Sequence, residues 1–561
     1  MSDRVKIVPL GGLGEVGRNM MVVDSGDDII VIDAGVMFPE SGMLGVDLVI
    51  PDITYLLDKL DRLRGVIVTH GHEDHTGALP YVLPRLEFPP IYTSRLTAGL
   101  IQGKLREHRL DDQVSVNTIS GGDELSLGAL TIEFFHVCHS IPDGLGLAIH
   151  TPVGLIVHSG DFKLDHTPVN EDRTDVAKLA DLGTQDVLCL LSDSTYADLE
   201  GYTPSERVVA ETFERVFASA PGRIVVTTFA SLISRVQLVL NTAAHFDRKV
   251  CLVGRSMVQN CGIARDLGYL SVPAGMLIDL EEVGDYPPER LVLVSTGSQG
   301  EPTSALARMA NRDHRQIEIV PGDTVVISAT PIPGNEELVH RTVDNLFRLG
   351  ANVLWSRSGH GGTGQQVHVS GHGSQEELKL MLSLIRPQYF IPIHGEYRHL
   401  VHHARIAESL GIPQSNIFVV EDGEVVEFGA DWAQISEPVP AGYVFVDGLG
   451  VGDVGNVVLR DRRVLAQDGI LVALITVDRH TGQLIGSPDI VTRGFVYARE
   501  SEELIAEASE QIQLALDGAV NGADADADWS TAKGKIHGVL RRLLYKRTRR
   551  RPMILPVVTE V

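Results

Sequence analysis

With 561 residues, 43% of them hydrophobic, the chain is long enough for about three globular domains, each with a buried core. Its net charge of −26 excludes a protein that grips nucleic acid over its whole surface, because phosphate binding draws on Lys and Arg; any such contact must be local. No stretch approaches the roughly 20 apolar residues of a membrane span, and the opening MSDRVKIVPLGG lacks a signal-peptide core, so no membrane is expected and the predicted location is the cytoplasm.

In chain order, residues 1–205 read as short strands joined by Gly-rich turns, among them VKIVPL, MMVVDS, DIIVIDAG, GVIVTH, LTIEFFHV, LAIHT, GLIVHSGD and VLCLLSD, with a helical pattern at DITYLLDKLDRL. This predicts a layered α/β body. From 206 to 368, helices such as ERVVAETFERVFASA, LISRVQLVLNTAAHF and ELVHRTVDNLFRLG alternate with strands RIVVTTF, KVCLVG, LVLVSTGS and TVVISAT, the rhythm of a separate parallel-sheet domain. Residues 369–434 return to the strand YFIPIHGE and the helix HLVHHARIAESLG, with histidines like those before the alternating block, so the second domain reads as inserted into the first. Residues 435–561 form a linker and a small C-terminal α/β domain: strands GYVFVDG, ILVALITVD and DIVTRGFVY, helices SEELIAEASEQIQLALDGAV and TAKGKIHGVLRRLLYKR, and a last strand MILPVVTEV. Between those helices the acidic NGADADADWS reads as a loop.

The four cysteines, Cys138, Cys189, Cys251 and Cys261, form no CxxC pair and read as buried free thiols. The basic run Arg541–Arg551 is a candidate for local nucleic-acid contact, a solvated helix end or subunit contact being the alternative. Gly12, Gly14 and Gly17 spell G-x-G-x-x-G after a strand, with Asp33 further on where a ribose-binding acid would stand. The residues after Gly17, RNMMVVDSGDDIIVIDAG, read as a hairpin where a dinucleotide fold requires a helix N-terminus, so nicotinamide binding is rejected.

The strongest signal is His70-Gly-His72-Glu-Asp74-His75, directly after the apolar strand Gly65–Thr69. Neutral imidazole and carboxylate suit Zn²⁺, and borderline Mn²⁺, and such tight spacing is accommodated when the side chains fan out around a shared centre. His139, Asp161 and His394 stand at similar strand ends. Seven ligands partition naturally between two ions about 3.5–4 Å apart: His70, His72 and His139 on one, Asp74, His75 and His394 on the other, and Asp161 bridging.

Together these residues resemble the metallo-β-lactamase superfamily. The alternating insertion, the acid of LLSDST at Asp193, the His of HVSGHGS at His372 and the His of IPIHGE at His394 resemble its β-CASP nucleic-acid-processing branch. Over the full length, including GGLGEVGRN, IDAGVMFP, THGHEDHTGALP, HSIPD and STGSQGEP, the chain is similar to the bacterial ribonuclease J family of that branch. The resemblance implies an αββα sandwich with an inserted parallel α/β domain and a small C-terminal α/β domain. It also implies two Zn²⁺ per chain, Mn²⁺ or Mg²⁺ being alternatives, and an enzyme that degrades single-stranded RNA from a 5′-monophosphorylated end and cleaves internally. A homodimer or homotetramer through the C-terminal region, and partners in an RNA-degradation complex, are implied in the same way.

In the chemistry these residues would run, two cations lower the pKa of a shared water, and hydroxide attacks phosphorus in line. His372, on the Gly-rich turn Ser370-Gly371-His372-Gly373-Ser374, is the candidate donor to a non-bridging oxygen and the main protein catalyst. His368 shares that role or orients it, and Asp74 and Asp193 complete the catalytic candidates; Asp193 and Asp33 also suit a supporting layer that holds ligand imidazoles by their other nitrogen. The turn Ser370–Ser374 and STGSQGE at Ser295–Glu301 are candidates for the terminal-phosphate pocket. Phe38 reads as a core residue, base stacking being the alternative, and Arg235, Arg255 and Lys163 are candidates for local positive surface. Rival readings are a small-molecule hydrolase of the same fold, a DNA nuclease, and a non-catalytic RNA-binding subunit.

Overall fold

The computed structural model describes residues 4–40, 42–169, 173–332, 334–356, 366–479, 483–496, 501–520 and 529–561. Most of the acidic segment read as a loop, residues 521–528, lies outside them. The chain forms two compact units, Met1–Phe38 with Leu48–Val444, and Pro39–Asp47 with Phe445–Val561. Among the described residues no helix is long and apolar enough to cross a membrane.

In the first unit, runs of β-branched residues build two sheets that face each other. One orders its strands as Ala433–Ile435, Val426–Phe428, Val5–Gly11, Met20–Asp24, Ile29–Ile32, Leu63–Val68, Ile91–Thr93 and Val116–Thr118. The other runs Tyr389–Ile393, Val187–Asp193, Gly154–His158, Gly144–Thr151, Leu130–Val137 and Glu124–Leu127. Alternation directs Val23, Ile32 and Ile67 of the first sheet, and Ile132, Phe134 and Ile149 of the second, into one shared core. The second sheet's other face, with Phe135, Val157 and Leu190, is covered by Leu378, Met381 and Leu382 of helix Gln375–Ile385 and by Ile406 and Ala407 of helix Tyr397–Ser409.

Strands Val187–Asp193 and Tyr389–Ile393 are parallel neighbours, so the chain between them leaves the sandwich and returns beside its point of departure. The excursion carries a five-stranded sheet, ordered Lys249–Val253, Leu291–Ser295, Ile224–Thr227, Thr324–Ile327 and Asn352–Trp355, parallel throughout. Helices on both faces give it two apolar cores, as the alternating pattern predicts. In the second unit, strands Asp489–Arg493, Ile470–Val477 and Met553–Glu560 form a sheet against helices Glu502–Val520 and Trp529–Thr548.

Two expectations are corrected. DITYLLDKLDRL forms only the 3-10 turns Thr54–Leu56 and Leu60–Arg62. Tyr55 Oη donates to Asp24 at 2.7 Å, and the Tyr55 carbonyl accepts from Lys59 Nζ at 2.8 Å, which diverts both residues from helical partners. Phe38 does not pack in the core; its side chain is 50% exposed. The glycines of GGLGEVG lead into the antiparallel pairing of Val5–Gly11 with Met20–Asp24, without a helix, and the four cysteines are buried and free.

Candidate metal centre

All seven candidate ligands stand just beyond the C-terminal ends of strands, at one end of the sandwich. His70 and His72 follow Leu63–Val68, and Asp74 and His75 lie on the one-turn helix Glu73–Thr76. A helix this short makes one internal bond, from the Gly77 N–H to the Glu73 carbonyl, and leaves the carbonyls that follow without an internal partner. The backbone N–H groups of Val36, Asn19 and Ala34 donate to the carbonyls of Glu73, Asp74 and His75 at 3.1, 3.0 and 2.8 Å. That approach explains Gly35, where a Cβ would lie 1.5 Å from the Asp74 carbonyl oxygen. His139 follows Leu130–Val137, Asp161 follows Gly154–His158 and His394 follows Tyr389–Ile393. Asp33 and His394 hold φ of 62° and 56°, a left-handed conformation that costs free energy and is retained where packing enforces it.

The side chains meet in two adjoining groups. In the first, His72 Nδ1 lies 3.1 Å from His70 Nε2 and 3.2 Å from His139 Nε2. In the second, Asp161 Oδ2 lies 3.2 Å from His75 Nε2 and 3.4 Å from His394 Nε2, and Asp74 Oδ2 lies 3.5 and 3.4 Å from the same two nitrogens. Asp161 Oδ2 is also 3.7 Å from His70 Nε2, which joins the groups.

Hydrogen bonds behind the rings determine where each imidazole carries its proton. His75 Nδ1 donates to Asp33 Oδ2 at 2.8 Å, and His139 Nδ1 donates to the Gly371 carbonyl at 2.8 Å. Thr69 Oγ1 donates to Asp33, so it accepts from His70 Nδ1 at 3.1 Å; Thr195 Oγ1 donates to Asp193 Oδ1, so it accepts from His394 Nδ1 at 2.7 Å. Each of these rings, when neutral, therefore turns a bare Nε2 lone pair inward, and the buried His394 Nε2 has no hydrogen-bond partner. Converging lone pairs on neutral imidazoles beside carboxylates are a donor set that fits zinc-like divalent cations.

Burial works against a charged ring at His394 and His75, but Asp161 and then Asp74 overcome it, raising His394 to about 9 and His75 well above the ordinary histidine range. Burial dominates at His70, His72 and His139, lowering His72 to about 4 and the other two well below the usual value. Burial would raise Asp161 and Asp74, but the neighbouring histidines hold both well below the usual carboxylate range.

His372 faces both groups, its ring centroid 4.8 Å from that of His139 and 5.3 Å from that of His394. Its Nδ1 donates to Asp193 Oδ2 at 2.7 Å; burial opposes the charged ring, but the Asp193 charge outweighs it and raises its pKa. Asp193 thus supports His372 directly and His394 through Thr195. His368 lies elsewhere: Arg235, Lys163 and Ser328 are its neighbours, and burial followed by those two cations depresses its pKa.

In the turn Ser370–Ser374, three backbone N–H groups are already engaged: His372 with Ser370 Oγ at 3.0 Å, Gly373 with the Phe162 carbonyl at 2.7 Å, and Ser374 with Glu377 Oε2 at 2.8 Å. A Cβ on Gly371 would lie 2.6 Å from His139 Cε1. In the turn Ser295–Glu301, Gln299 is buried and bonded to Thr330 and Ile332, and burial raises the Glu301 carboxyl.

Two of the three cations expected at the surface are buried. Arg235 is clamped by Glu206, with Nη2 at 2.7 and 2.9 Å from its oxygens, and donates to the Val367 carbonyl at 3.1 Å. Lys163 lies 3.4 Å from Asp165 Oδ2. Of the three, Arg255 is exposed.

Sequence reasoning passed over Asn19, Thr195 and Glu377. Asn19 Nδ2 lies 3.1 Å from both the Asp74 carbonyl and His75 Nε2, yet it stands beside glycines that drew attention to a different motif. Buried Arg18 holds that loop through Glu15 and Asp422 at 2.7 and 2.6 Å. Glu377, fully buried, accepts from the backbone of Leu164, Thr203 and Ser374 at 2.8, 2.7 and 2.8 Å. Its signal was the capping box Ser374–Glu377 at the start of an apolar helix.

Facing sheets with a His/Asp centre at their strand ends and a parallel-sheet insertion define a metallo-hydrolase of the metallo-β-lactamase type. Residues 13–225 match the metallo-beta-lactamase superfamily, and residues 364–419 match the Zn-dependent metallo-hydrolase RNA specificity domain. The fold is shared with a crystal structure of a protein of unknown function from Enterococcus faecalis V583, at TM-score 0.56 and 16% identity, covering 76% of this chain and 100% of that one. Residues 221–346 match the ribonuclease J beta-CASP domain, and residues 457–561 the ribonuclease J C-terminal domain.

Ribonuclease J2 of Bacillus subtilis (strain 168) is 43% identical over 560 residues, covering 100% of this chain and 99% of that protein. Ribonuclease J 1 of Streptococcus pyogenes is 43% identical over 556 residues, covering 99% and 98%. The chain belongs to the ribonuclease J family.

Proposed function

We propose that this chain is a metal-dependent ribonuclease that degrades single-stranded RNA from a 5′-monophosphorylated end and also cleaves internally, in the cytoplasm. His70, His72 and His139 would hold one divalent cation and Asp74, His75 and His394 a second, with Asp161 shared; zinc suits the donors best, with manganese or magnesium as alternatives. The observation that carries this reading is the position of Asp161 Oδ2 between the groups, 3.2 Å from His75 Nε2 and 3.7 Å from His70 Nε2. Assembly into a homodimer or homotetramer through the C-terminal region belongs to the same proposal.

When bound, the cations supply a water of lowered pKa and positive charge against the phosphate. The chain's own residues do the rest. Asp33, Thr69, Thr195 and the Gly371 carbonyl hold the ligand rings in one tautomer, so no reorganisation is needed during reaction. With Asp193 fixing its Nδ1, His372 keeps Nε2–H available to donate to a non-bridging phosphate oxygen, and its raised pKa maintains that proton towards neutral pH. Three backbone donors of the Ser370–Ser374 turn are already engaged by Ser370 Oγ, the Phe162 carbonyl and Glu377, so they would not serve a terminal phosphate.

The test is turnover of single-stranded 5′-monophosphorylated RNA beside matched DNA and a panel of lactones. RNA shortening is expected, with close to two metal ions per chain (about two by the two-group geometry) and loss of cleavage in a folded His72→Ala variant. Hydrolysis of lactones alone, or undiminished cleavage by His72→Ala, would overturn the reading.

A further inference from the structure

The second unit carries a charge distribution that the metal chemistry does not use. From Trp529 to Thr559 the chain has no Asp or Glu, yet it has nine cations: Lys533, Lys535, Arg541, Arg542, Lys546, Arg547, Arg549, Arg550 and Arg551. The whole chain is −26, so without this segment (−26 less +9) the remainder is −35.

Helix Trp529–Thr548 separates its faces. Ile536, Leu540 and Leu544, four residues apart, are buried and pack with Ile475, Ile512 and Leu516 in the core of the unit. Lys535, Arg541, Arg542 and Lys546 are exposed, and among the described residues no carboxylate pairs with them. Arg547 is the member of the run that acids engage, Glu507 at 2.8 Å and Glu503 at 3.5 Å. At the end of the helix the guanidinium groups of Arg549 and Arg551 lie over the ring of Tyr545, 38% exposed, 5.5 and 4.7 Å from its centroid.

Such a surface is electrostatically costly for the free protein, because like charges crowd without counter-charge, and an extended polyanion relieves it. A single-stranded nucleic acid supplies phosphates for the cations and bases that stack on the exposed guanidinium planes beside Tyr545. An acidic protein supplies only the charge. The negative remainder of the molecule repels RNA, which confines the attraction to this patch.

We infer that the exposed face of helix Trp529–Thr548 and the Arg549–Arg551 turn form a second RNA-binding surface that tethers the body of single-stranded RNA by its phosphates, in addition to the contacts at the metal centre. The inference rests on RNA being the substrate. It predicts that affinity for long RNA exceeds affinity for short RNA and falls steeply with salt.

The experiment uses the full chain and the fourfold variant K535Q/R541Q/R542Q/K546Q, which alters only exposed positions; a circular-dichroism melt establishes that it is folded. Binding to 5′-monophosphorylated single-stranded RNAs of about 30 and about four nucleotides, and to polyglutamate, is measured in chelator over a salt series, and turnover of the same RNAs is measured with the metal-loaded enzyme. Losing four phosphate contacts lowers the slope of log affinity against log salt for the long RNA by about 3, and raises its KM by about tenfold or more. The kcat, and all values for the short RNA, stay unchanged. An unchanged slope and KM for the long RNA overturns the inference, as does an equal loss on the short RNA. Retained RNA affinity with lost binding to polyglutamate overturns it in favour of an acidic protein. The chelator arm reads binding without catalysis, so it stands or fails separately from the ribonuclease assignment.

Discussion

Asp33→Asn isolates the hydrogen-bond layer behind the metal ligands. Asp33 Oδ1 accepts the Thr69 backbone N–H at 2.8 Å, and Oδ2 accepts from His75 Nδ1 at 2.8 Å. A peptide N–H is only ever a donor, so the asparagine oxygen stays with Thr69 and its NH₂ group faces His75. The imidazole must then accept at Nδ1 and carry its proton on Nε2, the atom 3.2 Å from Asp161 Oδ2. A protonated Nε2 has no lone pair for a cation. Losing a supporting partner of this kind weakens metal affinity by about 10- to 100-fold, or about 1.4–2.8 kcal/mol. Competition against a chromophoric chelator measures this directly, with circular dichroism to establish that the variant is folded. Asp24→Asn is the control, because Asp24 is equally buried but bonds Tyr55 and the Gly26 backbone instead. Metal affinity for Asp33→Asn within about twofold of the unaltered chain would refute the tautomer argument, since the predicted effect is at least about tenfold.

The same centre carries a pH dependence. His394 at about 9, and His75 raised with it, hold protons in the metal-free fold that an unfolded chain releases near 6.5; this stabilisation is complete below about pH 6.5 and is lost as pH rises through about 9. Thermal melts in chelator should therefore fall across that window while metal affinity rises across it, because cations displace those protons; opposite trends would contradict the assignment. Glu377→Gln removes the charged acceptor of three buried N–H groups and sets an NH₂ against at least one of them, so urea denaturation should show a loss of about 2–4 kcal/mol. The same variant should lower kcat, since Ser374 anchors the turn that carries His372; a loss below about 0.5 kcal/mol would mean the bonds contribute little.

Much of this molecule was legible along the chain because its signals are local. An apolar strand ending in HGHEDH places ligands at a strand end whatever surrounds it, and alternating strand and helix patterns foretell the parallel sheet whose strands lie between Ile224 and Trp355. The basic C-terminal segment was visible for the same reason: nine cations without an acid between Trp529 and Thr559 are a property of composition.

Tertiary structure decided what depends on partners distant in sequence. Arg235 reads as surface charge because nothing nearby in sequence shows that Glu206 will bury and neutralise it, and Lys163 because an Asp two residues on does not by itself show that both will be buried beside Glu206. His139 is oriented by the carbonyl of Gly371, and His394 by Thr195, contacts that exist only after the insertion has left the sandwich and returned to it. Residue type tells which atoms can ligate or donate. Which nitrogen holds the proton, and which charge finds its counter-charge, is determined by burial and by hydrogen bonds across the fold, and those form only when remote segments pack together.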